Sequence, residues 1–128
     1  MPVSINKHDN YSIVLVEEDK LDATVAPELK SVFVVADKNN ERNYILDLSN
    51  VEYCDSSGLS AVLVGNRLSK YANGTFVICG VQKAVAKLLS ISQLDQVLNI
   101  VPTVSEAIDF LFMEELEKDL GEDIDDEL

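Results

Sequence analysis

The sequence predicts an α/β fold, a single domain whose mixed, largely parallel sheet has about four to five strands and about four helices, in the order ββαβαβαβα. Three observations lead there. Short β-favouring runs alternate with stretches of helical periodicity, a turn rather than a helix separates the first two runs, and no internal repeat or linker interrupts the pattern. With 128 residues, 47% of them apolar, the chain can bury one core.

Residues 3–6 and 11–16 are the first two runs, and Lys7-His8-Asp9-Asn10 between them reads as the turn of an antiparallel hairpin. In TVAPELKSVFVVADK, Val25, Leu29, Val32 and Ala36 recur at helical spacing with Phe33 beside them. Thr24 is the expected cap, and Pro27 falls in the first turn, where a missing N–H costs nothing. Residues 44–48 form a strand with Tyr44, Leu46 and Leu48 on one face and Ile45 and Asp47 on the other. A helix over 57–72 ends at Asn73-Gly74, a strand over 75–79 breaks at Gly80, and a short helix runs over 82–91. A strand over 97–101 precedes Pro102. Thr103 and Glu106 then make a capping box that opens a last helix through Ala107, Ile108, Leu111 and Phe112. That helix is expected to fray into GEDIDDEL, residues 121–128, which is too charged to fold alone; residues 1–113 are the expected domain and residues 114–128 an acidic C-terminal tail in which the helix end passes into disorder.

Charge narrows the partners. Ten basic against twenty-three acidic residues give a net −13, and nine of the acids with one lysine lie in 114–128. The remaining fourteen acids and nine bases leave residues 1–113 at −5. Neither part suits a phosphate backbone or an anionic membrane surface, so nucleic acid and membrane are poor partners and a basic protein surface a better one. MPVSINKHDN lacks the apolar core of a signal peptide, and no stretch is apolar enough to span a bilayer. Cys54 and Cys79 lack paired-ligand spacing and read as buried small residues in a reducing cytoplasm.

The right-handed crossovers of such a sheet collect function at the carboxyl ends of its strands. Three loops are expected to meet there: residues 17–23, 51–57 and 80–82. The middle one ends in DSSGLSAVLVG, from Asp55 to Gly65. As a nucleophile, neither Ser56 nor Ser57 has the G-x-S-x-G elbow, and the only histidine, His8, lies in the hairpin turn. Asp55, with an unperturbed pKa of about 4, is a weak base. No phosphate-binding glycine motif is present, and the carboxylates of the tail lack the glycine turn of a calcium loop. No catalytic residue, cofactor or metal is therefore assigned.

Two readings of the serines remain. Asp55, Ser56 or Ser57 can each cap the helix, contributing about 1 kcal/mol. A hydroxyl at a helix start is also well placed to receive phosphate, whose charge the free N–H groups and helix dipole tolerate. Gly58 in the first turn sacrifices roughly 0.5–1 kcal/mol relative to alanine, which suggests close approach by another molecule. The helix is apolar on two sides: Ala61, Val64, Gly65, Leu68, Tyr71 and Ala72 form one stripe, and Leu59, Leu63 and Val62 project roughly opposite. A protein-docking surface beside the serines is the expectation.

NYILDLSNVEYCDSSGLSAVL resembles the signature of STAS domains, in particular the bacterial anti-sigma factor antagonists. LDATVAPELK resembles the start of that family's first helix, and NGTFVICGVQKAVAKLL its next strand and helix, so the likeness spans about residues 3–112. The resemblance implies a STAS-like domain that binds an anti-sigma factor, itself a serine kinase using ATP and magnesium, and thereby frees a sigma factor. It implies that the kinase phosphorylates Ser57 and so releases itself, and that a serine phosphatase restores the active form. Asp55, Ser56, Gly58 and Leu59 would belong to the partner-binding surface, with Asp22 at the matching Leu-Asp position. Two loops depart from the family pattern: Glu18-Asp19-Lys20 replaces a glycine, and Gln82-Lys83 a proline. A constitutive STAS scaffold or transporter-associated subunit without a phospho-switch is the alternative.

Overall fold

The computed structural model describes residues 2–127, with side chains over 2–121. The chain forms β1 (Val3–Lys7), β2 (Ser12–Val16), β3 (Lys20–Leu21), α1 (Ala26–Lys38), β4 (Tyr44–Asp47), β5 (Tyr53–Cys54), α2 (Ser56–Tyr71), β6 (Phe76–Cys79), α3 (Lys83–Ile91), β7 (Asn99–Val101) and α4 (Val104–Glu127), with a 3-10 turn at Leu94–Gln96. The main sheet has five strands in the order β1-β2-β4-β6-β7. The β1–β2 pair is antiparallel, from Val3 opposite Val16 to Lys7 opposite Ser12, and His8 N–H closes its turn on the Tyr11 carbonyl at 2.8 Å. The pairs β2–β4, β4–β6 and β6–β7 are parallel. This is the α/β domain expected, with β3 and β5 added as a separate two-stranded sheet.

The alternation read in residues 44–48 divides the core in two. Tyr44, Leu46 and Leu48 join Leu29 and Phe33 of α1, Ala61 and Val62 of α2, and Val85 and Leu89 of α3 on one face. Ile45, with Val77 and Cys79, meets Ala107 and Leu111 of α4 on the other. Tyr44 and Phe76 both pack edge-on against Phe33, with ring centroids 5.5 and 5.6 Å away. Gly65 lets α2 close on that cluster, because a Cβ there would stand 2.6 Å from the Phe33 ring.

One helix start differs from expectation and another meets it. Thr24 does not cap α1; Val25 holds the N-cap position, and Thr24 instead donates its N–H and hydroxyl to Asp22 Oδ1 at 3.0 and 2.6 Å. The Asp22 carbonyl takes the Val25 and Ala26 amides, so the turn before the helix is built on aspartate. Thr103 does cap α4, accepting the Glu106 amide at 3.2 Å, while Glu106 Oε2 accepts the Thr103 hydroxyl at 3.3 Å.

Helix α4 also crosses the boundary drawn at residue 113. Its backbone stays helical to Glu127, and Glu115 and Lys118 fasten it to the base of the sheet. Composition marked a change of charge at that point, whereas the helix itself is continuous.

Candidate functional site

At the carboxyl end of the parallel strands, two loops are zipped together. The loop after β2 turns into β3, and the loop after β4 into β5. These pair in parallel, Lys20 opposite Tyr53 and Leu21 opposite Cys54. The Asp19 carbonyl accepts the Glu52 and Tyr53 amides at 2.7 and 3.1 Å, and the Leu21 carbonyl accepts Asp55 N–H at 3.3 Å. The residue following each short strand is an aspartate, Asp22 on one and Asp55 on the other. Sequence reading therefore placed the first two loops correctly. The third, residues 80–82, lies at the same end but meets only the start of the β4 loop: Gln82 Nε2 donates to the Ser49 carbonyl at 2.6 Å, and Gly80, with φ of +71°, packs against Asp47 and Ser49. It flanks the β4 loop without reaching the serines by any such bond.

Of the three possible caps on α2, the fold uses Asp55. Its Oδ1 accepts the Gly58 amide at 3.0 Å, and its carbonyl accepts the first intrahelical bond, from Leu59 N–H, also at 3.0 Å. Capping as a role for Ser56 is thereby corrected. Ser56 is exposed and Ser57 half-buried, and they occupy the first two helical positions, where backbone N–H groups precede the intrahelical ladder. These N–H groups and the positive end of the helix dipole suit an added anion on a neighbouring hydroxyl.

Gly58 has a different reason from the one expected. It is buried, and a Cβ there would collide with the Leu21 carbonyl oxygen and lie 2.7 Å from Cys54 Sγ. The close approach is internal: β3 presses on the first turn of α2, fixing Asp22 beside the serines. Leu59 and Leu63 pack on the core while keeping part of their surface, but Val62 is buried. The outward surface near the serines is thus narrower than the stripe suggested. It gains one residue that sequence reading missed, Tyr53, which is 52% exposed. No periodic signal pointed to it: Val51 and Tyr53, two residues apart, differ in burial, and two-residue strands give no alternation to read.

Electrostatics separate the groups further. The Thr24 hydroxyl and amide, donating to Asp22, hold that carboxyl below its usual value, so it stays charged. Burial pushes the Cys54 thiol up to about 11, with the Asp55 charge adding to it. Burial and Asp47 raise Cys79 to about 12. Both thiols are protonated near neutrality and so are weak nucleophiles. His8 stacks on Tyr11 in the hairpin turn, at the opposite pole of the sheet from Ser57. Among the described residues no group of three or more His, Cys, Asp or Glu side chains could hold a metal ion, and no helix is long and apolar enough to cross a membrane.

Known structures share this architecture. A candidate anti-sigma factor antagonist from Thermotoga maritima is 26% identical and superposes with a TM-score of 0.73, covering 85% of this chain and 93% of its own. An anti-sigma factor antagonist from Mycobacterium paratuberculosis is 23% identical, with a TM-score of 0.75 over 85% of this chain and 92% of its own. The Bacillus cell fate determinant SpoIIAA in its phosphorylated form is 18% identical, with a TM-score of 0.67 over 84% and 96% of the two chains. Residues 3–107, which include both aspartates, both serines and the sheet that carries them, match the STAS domain family, and the chain belongs to it.

Proposed function

We propose that this chain is an anti-sigma factor antagonist, a binding module switched by phosphorylation and without catalysis of its own. In its unphosphorylated form it binds an anti-sigma factor that is also an ATP- and magnesium-dependent serine kinase. The surface used comprises Asp22, Tyr53, Asp55, Ser56, Ser57 and Leu59. Phosphate on Ser57 releases the partner, and a serine phosphatase reverses the step. The observation that carries this reading is the division of labour at the start of α2. Asp55 does the capping, so the hydroxyl of half-buried Ser57 is not committed to holding the helix.

The energetics favour a switch over unfolding. A phosphate adds about −1.5 to −2 charges. Beside the first-turn amides the folded domain accommodates it, whereas a docked partner would have to bury it next to the charged Asp22 and Asp55. An uncompensated buried charge costs about 3–5 kcal/mol, a loss of at least roughly a hundredfold in affinity. The phosphorylated Bacillus relative shares the fold, which supports the domain's tolerance of the modification. Phosphopeptide mapping of the chain recovered from its own cells is the test. Phosphate on Ser57 that vanishes in Ser57→Ala supports the reading. Phosphate on Ser56 or Ser49 refutes the assignment, and a chain never phosphorylated, with Ser57→Asp harmless, favours a constitutive STAS subunit.

A further inference from the structure

Helix α4 continues past the family match and presents two contrasting faces. Inward, Ala107 and Leu111 are buried on the sheet, and one turn on Glu115 accepts hydrogen bonds from Arg42, Asn43, Thr75 and Lys118 at 2.8–3.2 Å. Outward, Phe112, Met113, Leu116 and Leu120 are 46–57% exposed. At 3.6 residues per turn these four share one stripe, with Asp119 along one edge and Glu117 along the other. Phe112 and Leu116 also line a groove of about 570 Å³ between α4 and the hairpin turn, whose wall includes Tyr11, Asp9, Glu41 and Asp119.

We propose that this stripe and groove dock a basic amphipathic helix from another protein. Its apolar side chains would lie on Leu116, Leu120 and Phe112, and its Lys or Arg residues would face the acidic rims. Charge selects that occupant. Residues 114–128 hold nine acids and one lysine, so a second copy would set like charge against like, and an anionic membrane would be repelled in the same way. The groove lies where β2 and β4 begin, and Ser57 lies beyond where β4 ends, so the two surfaces occupy opposite poles. Docking at α4 is therefore independent of the serine switch.

The test uses two labelled helical peptides of equal lysine content, one with a leucine stripe and one with serine in its place, titrated by fluorescence anisotropy against the full chain. The leucine peptide is expected to bind about tenfold or more tightly than the serine peptide. L116S/L120S, which leaves every charge in place, should abolish that preference, while Ser57→Asp should keep it. Leu116 and Leu120 are half exposed, so the variant is expected to fold, and its circular dichroism and Tm check this. Equal binding of both peptides, a preference surviving L116S/L120S, or no binding at all overturns the proposal. So does concentration-dependent self-association that L116S/L120S removes, because the occupant is then a second copy.

Discussion

At Gly58 and Asp55 the site is decided atom by atom. The glycine was legible as an anomaly, since nothing local justifies it in a first helical turn, but its cause is the Leu21 carbonyl, thirty-seven positions away by the numbering. Such a contact leaves no periodic trace. Gly58→Ala is expected to force β3 off α2 and to destabilise the domain by about 1–3 kcal/mol, measured by urea denaturation; an unchanged midpoint would mean that β3 yields freely. Asp55→Ala removes the only side-chain cap seen on α2 and should cost about 1 kcal/mol, whereas Ser57→Ala should leave the midpoint within error. If instead Ser57→Ala costs as much as Asp55→Ala, the serine shares in holding the helix and the division of labour fails.

Among the elements, the four helices were legible from apolar residues recurring near every fourth position, and the strands of the main sheet from short β-favouring runs bounded by turn residues, with period-two alternation in β4 and an unbroken apolar run in β6. Apart from the C-terminal end of α4, the predicted edges fall within about two residues of the observed ones, the usual uncertainty where helices fray. The β3–β5 pair was not legible. With two residues in each strand it consists of backbone bonds across a loop, and it is this pair that brings Asp22 to Asp55. The anchoring of α4 was not legible for a related reason. Glu115 reads as one more acid in a charged run, yet it finds Asn43, Thr75 and Arg42 far away in sequence. Partial burial pushes the Glu115 carboxyl up, but hydrogen bonds from Lys118, Asn43 and Thr75 outweigh it and leave the pKa below the ordinary 4.5. A depressed carboxylate stabilises the fold above its unfolded pKa and loses that contribution as pH falls through the folded value. Stability should therefore fall between pH 5 and lower values less steeply in Glu115→Gln than in wild type, as thermal melts across that range would show; parallel profiles would contradict the anchoring role.

For the whole molecule, one sheet separates two poles. The carboxyl ends of the strands hold the paired aspartates and the serines, and the opposite end holds the groove and the exposed stripe of α4. Composition anticipated an acidic protein, and a mixed, largely parallel sheet of about four to five strands followed from the alternation of strands and helices; that helices cover both of its faces is seen in the structure. What composition could not anticipate is that Glu115 and Lys118, within the acidic run, fasten that helix to the sheet. The central claim concerns the serine pole: charge placed on Ser57 disperses a complex without unfolding the chain. The direct measurement is calorimetric titration of the anti-sigma factor partner with wild type and with Ser57→Asp, alongside thermal melts of both. The two proteins are expected to share a Tm, and the variant to lose about a hundredfold in affinity. Equal affinities from two equally folded proteins would contradict that claim.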